Sequence, residues 1–422
     1  KQAVLLSLLL SLAVGGFVFL FANEIAAVFL KDSRAALSLR LLALAVPFMA
    51  AGSCFRGFFL GMQEAVVPAI SQVIEQTVRI ATIFFLAGIF VPLGLAYACC
   101  AAVCGILFGE MLSCVFTILT YLRFKRSHKM IRRPTLSSGA VLSMILAMAV
   151  PLSATRIATA LLSTAENILI PRQLQLHGQN TAQALSTYGE LTGMAMPLIL
   201  LPSACLMAAS VSLVPEISEA CAVQQDARIS KTVSVTMLFT SIIGIGSGAL
   251  FAVFPREICY VVYNRANLGI VLFPLAFLCP FLYGQTTLHG LLNGLGEQFF
   301  LFWNNLVTSL ITIGAIWFFM PAYGVAAFFF GWLASLSFSV FTALFRLYRR
   351  TGVIPSLFDC FLKPLLAGAT SALLVKYMIR ISTPSKALFL FSMLIMGLLY
   401  LFFLFVLGCF SGKNIEVFLR RK

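Results

Sequence analysis

From residue 3 onward the chain consists of long apolar runs separated by short breaks bearing charges or Pro and Gly. As a helix, each run is long enough to cross a hydrocarbon layer of about 30 Å. Spans are expected at residues 3–29, 34–61, 66–91, 94–122, 139–170, 185–214, 232–254, 267–292, 299–320, 323–345, 358–378 and 387–409. The runs are continuously apolar, without the ten-residue alternating segments of a transmembrane β-barrel. The pattern therefore predicts an all-α polytopic membrane protein with about 12 transmembrane helices present.

Polar positions inside these runs are few and patterned. In the third span, Gln72, Glu75, Gln76 and Arg79 recur at i, i+3, i+4 and i+7, which places them on one helical stripe. Arg79 lies about 13 residues into its helix, about 20 Å at 1.5 Å per residue, too deep for easy snorkelling. Glu75 precedes Arg79 by one turn, in the favourable order for an i, i+4 pair. Two roles stay open for the pair: mutual neutralisation that holds helices together, or presentation of Arg79 to a ligand. In the fifth span, Arg156 and Ser163 share a face, with Glu166 and Asn167 flanking it further out. Interhelical hydrogen bonding accounts for Glu166 as well as a ligand does. Arg156 has no acidic neighbour one turn away in either direction.

Composition strengthens this picture: 61% of residues are hydrophobic, 10% are charged, and mean hydropathy is +1.01. No water-soluble core needs that much apolar surface. The net charge of +15 points to membrane orientation, not to nucleic acid, because the basic residues cluster at span ends. "RFKRSHKMIRR" at 123–133, Arg346, Arg349, Arg350 and Lys363, and the terminal Lys413, Arg420, Arg421 and Lys422 fall on one side if the spans alternate. That side is assigned to the cytoplasm, with both chain ends on it. The opposite side carries a thinner set, including Lys31, Arg34, Arg40, Arg172 and Arg265. Only Arg56, Arg79 and Arg156 remain as basic residues within spans, and an intramembrane charge is a functional candidate. The 11 Cys lie mostly inside apolar spans and the three His are far apart. Neither shows zinc spacing, so no metal and no cofactor is expected.

The chain also repeats itself. "RGFFLGMQEAVVPAISQ" from Arg56 aligns without gaps to "HGLLNGLGEQFFLFWNN" from His289, pairing Gly57 with Gly290, Gly61 with Gly294 and Glu64 with Glu297. Each copy ends one helix, turns at a Gly and Glu pair, climbs a second helix and reaches a Pro and Gly turn. Both run in the same direction, as expected of parallel transporter halves related by an axis along the membrane normal. Carried forward, the alignment maps the stripe onto Asn305, Thr308, Ser309 and Thr312, which keep the polarity and lose the charge. Polar groups facing lipid are costly, so both stripes are expected to face the interior or a shared wet cavity. The second copy has two more helices upstream than the first, so two helices, roughly 90 residues, are expected to precede this chain. The organisation expected is an incomplete four-helix N-terminal lobe at 1–123, a basic linker at 124–138, a six-helix C-terminal lobe at 139–350, and two extra helices with a basic tail at 351–422. Prolines at 151, 197, 202, 215, 274 and 280 offer bends to the second lobe.

Four stretches carry a family resemblance: "FRGFFLGMQEAVVPAISQVIEQTVRI", "LLSTAENILIPRQLQ", "YGELTGMAMPLILLPS" and "SLVPEISEA". They resemble the stage V sporulation protein B group of polysaccharide transporters. That group belongs to the multidrug, oligosaccharidyl-lipid and polysaccharide exporter superfamily, which also includes the lipid II flippase. The resemblance implies a 14-helix fold of two six-helix lobes around a central cavity plus two extra helices, of which this chain lacks the first two. It implies movement of an undecaprenyl-linked sugar across the bacterial cytoplasmic membrane, in spore-cortex or cell-wall synthesis. The partners implied are a lipid-linked glycan, membrane lipid, a coupling ion and the cell-wall synthesis machinery.

On this reading Arg79 and Arg156, with Arg56, meet a diphosphate, since guanidinium groups bind phosphate through bidentate, charge-assisted bonds. Gln72, Glu75, Gln76, Ser163, Glu166 and Asn305 line the substrate path. A cation-coupled drug antiporter is the alternative, with Glu75, Glu110 or Glu166 binding a proton, sodium or a cationic substrate. An assembly scaffold that transports nothing is a further one. No His-centred or paired-carboxylate constellation suggests an enzyme.

Overall fold

The computed structural model describes residues 2–29, 33–62, 64, 66–127, 138–206, 217, 223, 225–352, 358–380 and 386–409, and among them there is no strand. Lys31, residues 128–137 of the basic linker, Pro215 and the basic tail from 410 lie outside the described residues. Long helices are α1 (Gln2–Leu20), α2 (Ala36–Gly61), α3 (Val66–Phe90), α4 (Leu95–Ser127) and α5 (Ser138–Leu176). Next is α6 (Thr181–Gly189), continued by a π-helical turn at Glu190–Ala195 and an α-helical Met196–Leu200. There follow α7 (Asp226–Val253), α8 (Pro255–Tyr263), α9 (Gly269–Ala276), α10 (Cys279–Gly294), α11 (Gln298–Tyr323), α12 (Val325–Thr351), α13 (Lys363–Arg380) and α14 (Lys386–Val406).

Among the described residues nine helices are long and apolar enough to span a membrane, or ten when a bent pair counts as one. The bent pair is Ala266–Ala276 with Cys279–Gly294, which meet at 53°. Pro274 and Pro280 flank that break: Pro274 removes a backbone donor inside its helix, and Pro280 occupies the first turn of the next, where no intrahelical donor is needed. Helix also occupies the fifth and sixth expected spans. The fifth is the single 39-residue α5; the sixth is α6 with its π turn, beyond which 207–216 lie outside the described residues.

The chain divides into two compact units, Lys1–Ser153 and Ala154–Lys422. The division falls inside α5, downstream of the linker at which the charge pattern divides the chain. In unit 1, α2 packs against α1 and α4, and α4 runs along α3. In unit 2, α7 packs on α10 and α13, α12 on α10 and α11, and α13 on α14. Large apolar side chains such as Leu9, Phe84, Phe85, Phe318, Phe330 and Phe405 stand exposed. A protein that turns this much apolar surface outward is solvated by lipid.

The two copies of the repeat share their turns and their helix crossing. Glu64 donates its amide to the Phe59 carbonyl at 2.9 Å, and Glu297 donates its own to the Leu292 carbonyl at 2.9 Å. These are aligned pairs. The following helix carries a stripe of small residues at i, i+4 and i+8: Gly105, Gly109 and Ser113 in α4, and Gly331, Ser335 and Ser339 in α12. A Cβ at Gly109 would lie 2.8 Å from the Glu75 carbonyl oxygen, and one at Gly331 would collide with Ala315. Small residues at these positions let α3 and α11 lie close against their partners.

Candidate functional site

Close packing of α3 on α4 brings charges from three helices together inside unit 1. Glu75 is buried, at 8% exposure. It accepts from Arg79 Nη2 at 2.6 Å, and Arg56 Nη1 lies 3.5 Å from its other oxygen. Arg56 also reaches toward Glu110 of α4, at 3.9 Å. It donates to Ser113 Oγ and Ser53 Oγ, each at 3.3 Å. Ser71 and Ser113, both buried, bond at 2.8 Å beneath the charges. Two arginines and two glutamates thus balance in an apolar three-helix packing, where pairing offsets the cost of removing each charge from water.

The crossing divides the expected stripe. Ser71, Glu75 and Arg79 lie at i, i+4 and i+8, the row that meets α4, whereas Gln72 and Gln76 fall on the exposed flank. Gln76 still accepts from Arg79 at 3.5 Å. Arg56, placed by its sequence position near a helix end, is instead turned into the cluster with its side chain only 18% exposed.

Unit 2 builds the same crossing from neutral groups. Ser339 donates to Asn304 Oδ1 at 2.6 Å and accepts from Gln285 at 2.8 Å. His289 Nε2 lies 3.5 Å from Ser339 Oγ. Asn304 donates to Thr342 at 2.6 Å, and Thr312 donates to Ser335 at 3.0 Å. The buried member is Asn304, with Asn305 half-buried beside it. Arg156 and Ser163 of α5 are exposed, and Arg156 has no acidic partner among the described residues. Glu166 is half-buried and meets the Ser309 hydroxyl of α11.

Outside the spans, the α10–α11 turn holds a second ion cluster. Glu297 is 5% exposed. Arg346 donates to it from Nε at 2.9 Å and Nη2 at 2.7 Å, and Arg350 Nε donates to its other oxygen. Burial alone would raise its pKa, but the two guanidinium groups outweigh burial and hold the carboxyl below the usual range.

Sequence reasoning missed Ser71 and Ser113 altogether, and it treated Glu110 only as a cation ligand. The available signal was the Gly105, Gly109 and Ser113 spacing, which marks the face of α4 that α3 meets. Among the described residues no group of His, Cys, Asp and Glu could hold a metal ion.

A repeated three-helix crossing, charged in one copy and neutral in the other, with apolar surface turned outward around it, defines a polytopic helical membrane protein with an internal repeat. The chain belongs to the polysaccharide biosynthesis protein family, whose model matches residues 2–221. It is 29% identical over 311 residues to stage V sporulation protein B of Bacillus subtilis (strain 168), covering 73% of this chain and 60% of that protein. It is 23% identical over 209 residues to sporulation protein YkvU of the same organism, covering 50% and 46%. The chain thus spans about half to three-fifths of the length of these relatives. Among solved structures, the lipid II flippase MurJ in an inward closed conformation superposes with a TM-score of 0.63 at 16% identity, over 94% of this chain and 80% of that one. An inward-facing multidrug resistance MATE family transporter of the MOP superfamily gives 0.62 at 14% identity, over 82% and 79%. At these identities the likeness establishes the fold.

Proposed function

We propose that this chain moves a lipid-linked saccharide of the undecaprenyl-diphosphate type across the bacterial cytoplasmic membrane by alternating access, in spore-cortex or cell-wall synthesis. The observation that carries the reading is the convergence of Arg56 and Arg79 on the single carboxylate of Glu75. A diphosphate offers the same acceptor geometry with more charge, so it can take over guanidinium donors that Glu75 holds in its absence. Arg156, exposed and without an acidic partner among the described residues, is a further phosphate donor on this reading. The family and the names of its relatives support a polysaccharide precursor as cargo. Both chain ends are assigned to the cytoplasm, and a coupling ion and cell-wall enzymes are the proposed partners.

The test is flipping of a fluorescent lipid-linked sugar in proteoliposomes. Arg79→Ala and Arg156→Ala should each slow it by at least about tenfold, the loss of one charge-assisted contact. Unchanged flipping in both variants would sink the diphosphate reading. The buried carboxylates Glu75 and Glu110 favour a second reading, a cation-coupled drug antiporter, to which the fold of the MATE transporter is also suited. Cation-driven drug efflux that is lost in Glu75→Gln and kept in both arginine variants would establish that reading instead.

A further inference from the structure

Glu110 is the carboxylate of the unit 1 cluster with incomplete bonding. The residue is 5% exposed, and its Oε2 is buried with no hydrogen-bond partner. The nearest cation, Arg56 Nη2 at 3.9 Å, is beyond hydrogen-bonding distance. Arg56 Nη2 already donates to Ser53, and Nη1 donates to Ser113 and lies 3.5 Å from Glu75. Arg79 Nε is likewise buried without an acceptor. The cluster therefore holds an unmatched acid oxygen and an unmatched cationic donor at once. The charged and titratable groups facing Glu110 are Arg56 of α2, Glu75 and Arg79 of α3, and Cys114 one turn further along α4.

With both carboxylates ionised the four charges sum to zero, and an arriving anion would leave the buried cluster negative. With a proton on Glu110 they sum to +1, so the same anion leaves the cluster one unit less negative. We infer that Glu110 takes up one proton when Arg56 and Arg79 take a phosphate-bearing ligand, so that the cluster is a joint site for a proton and an organic phosphate. The proton comes from the aqueous phase and forms an O–H bond at the carboxylate, with no other bond made or broken. Neutralising Glu110 removes its pull on Arg56 and releases that guanidinium toward the ligand. By linkage, the ligand strengthens proton binding as much as the proton strengthens ligand binding. This inference rests on the phosphate reading proposed above.

The test uses the full chain in nanodiscs of zwitterionic lipid, titrated with farnesyl diphosphate in a calorimeter. Pairs of buffers with different ionisation enthalpies report protons taken up on binding. The native chain should take up about one proton more per ligand than Glu110→Gln, and its affinity should weaken by up to about tenfold per pH unit on the alkaline side. Glu110→Gln, a fixed mimic of the protonated acid, should bind with a flatter pH profile, and Glu110→Met should do the same if the amide perturbs folding. Binding lost in Arg56→Ala/Arg79→Ala, with equal proton uptake in the native chain and both Glu110 variants, overturns this inference alone. No binding by the native chain, or equal binding by the arginine variant, overturns the phosphate reading and this inference with it.

Discussion

Arg56 and His289 stand at the same position in the two copies of the repeat, and each meets a buried serine of the helix that closes its crossing. Arg56 donates to Ser113 at 3.3 Å, and His289 lies 3.5 Å from Ser339. Each serine then bonds the aligned polar residue of the intervening helix, Ser71 in one copy and Asn304 in the other. One scaffold therefore serves two chemistries. Where the first copy adds Glu75, Arg79 and Glu110, the second offers only hydroxyls, amides and an imidazole. Of the two crossings, only the first therefore carries buried charge.

Glu75→Ala should be the most damaging single change in that cluster. It removes the carboxylate shared by Arg56 and Arg79, whose side chains are 18% and 26% exposed, and leaves two cations largely out of water. A loss of about 3 kcal/mol is expected for a buried pair broken from one side. Thermal unfolding of the detergent-solubilised chain measures it. Glu75→Gln, which can still accept one hydrogen bond, should lose less.

Gly109→Leu tests whether the crossing assembles the charges. A Cβ there already meets the Glu75 carbonyl oxygen at 2.8 Å, so a larger side chain pushes α3 outward. Overpacking of this kind costs about 1–3 kcal/mol, and it should also separate Arg56 from Glu75. Crosslinking between cysteines placed on α3 and α4 should fall in Gly109→Leu and persist in the exposed control Gly88→Leu, which has open space around its Cβ.

Apolar run length made the helices legible in the sequence, because spanning length is a one-dimensional property. The repeat was legible too, since Glu64 and Glu297 align and make the same backbone hydrogen bond. The Glu75–Arg79 pair followed from helical spacing alone. Arg56 did not: its position near a helix end gave no sign that it turns toward Ser113 and Glu75 on two other helices. Glu110 was hidden for the same reason, because the face of α4 that meets α3 is set by the absence of side chains at Gly105 and Gly109. A stripe drawn on one helix could not reveal that Gln72 and Gln76 lie off the contact row.

Tyr283 should prove important to the break that follows the π-helical turn in unit 2. Its ring is fully buried, and its hydroxyl donates to the Ile199 carbonyl at 2.5 Å. Pro202 cannot supply a backbone donor in the same stretch. Tyr283→Phe keeps the packing and orphans that acceptor, with an expected loss of about 1–2 kcal/mol. Tyr263→Phe removes a longer bond, to the Met194 carbonyl at 3.0 Å, and should cost less in the same thermal assay.

Glu297 sets the sign of a pH dependence. Burial opposes its ionisation, but the donors from Arg346 and Arg350 prevail, and its carboxyl titrates below the ordinary range in the folded chain. A depressed carboxylate contributes stability that is fully present above the unfolded value, about 4.3 for Glu. That contribution is lost as pH falls through the folded value. Arg346 and Arg350 are 37% and 57% exposed, so solvent screening reduces what the bonds contribute, and about 1.5 kcal/mol is expected. Glu297→Gln should therefore unfold at lower temperature than the native chain at neutral pH. The difference should shrink on acidification below about pH 4, because the native carboxylate is then protonated as well. Glu64→Gln changes the aligned residue of the first copy, which is exposed, and should leave the melting temperature unmoved at either pH. A gap between Glu297→Gln and the native chain that widens toward acid pH would show that Glu297 is not held ionised by the two arginines.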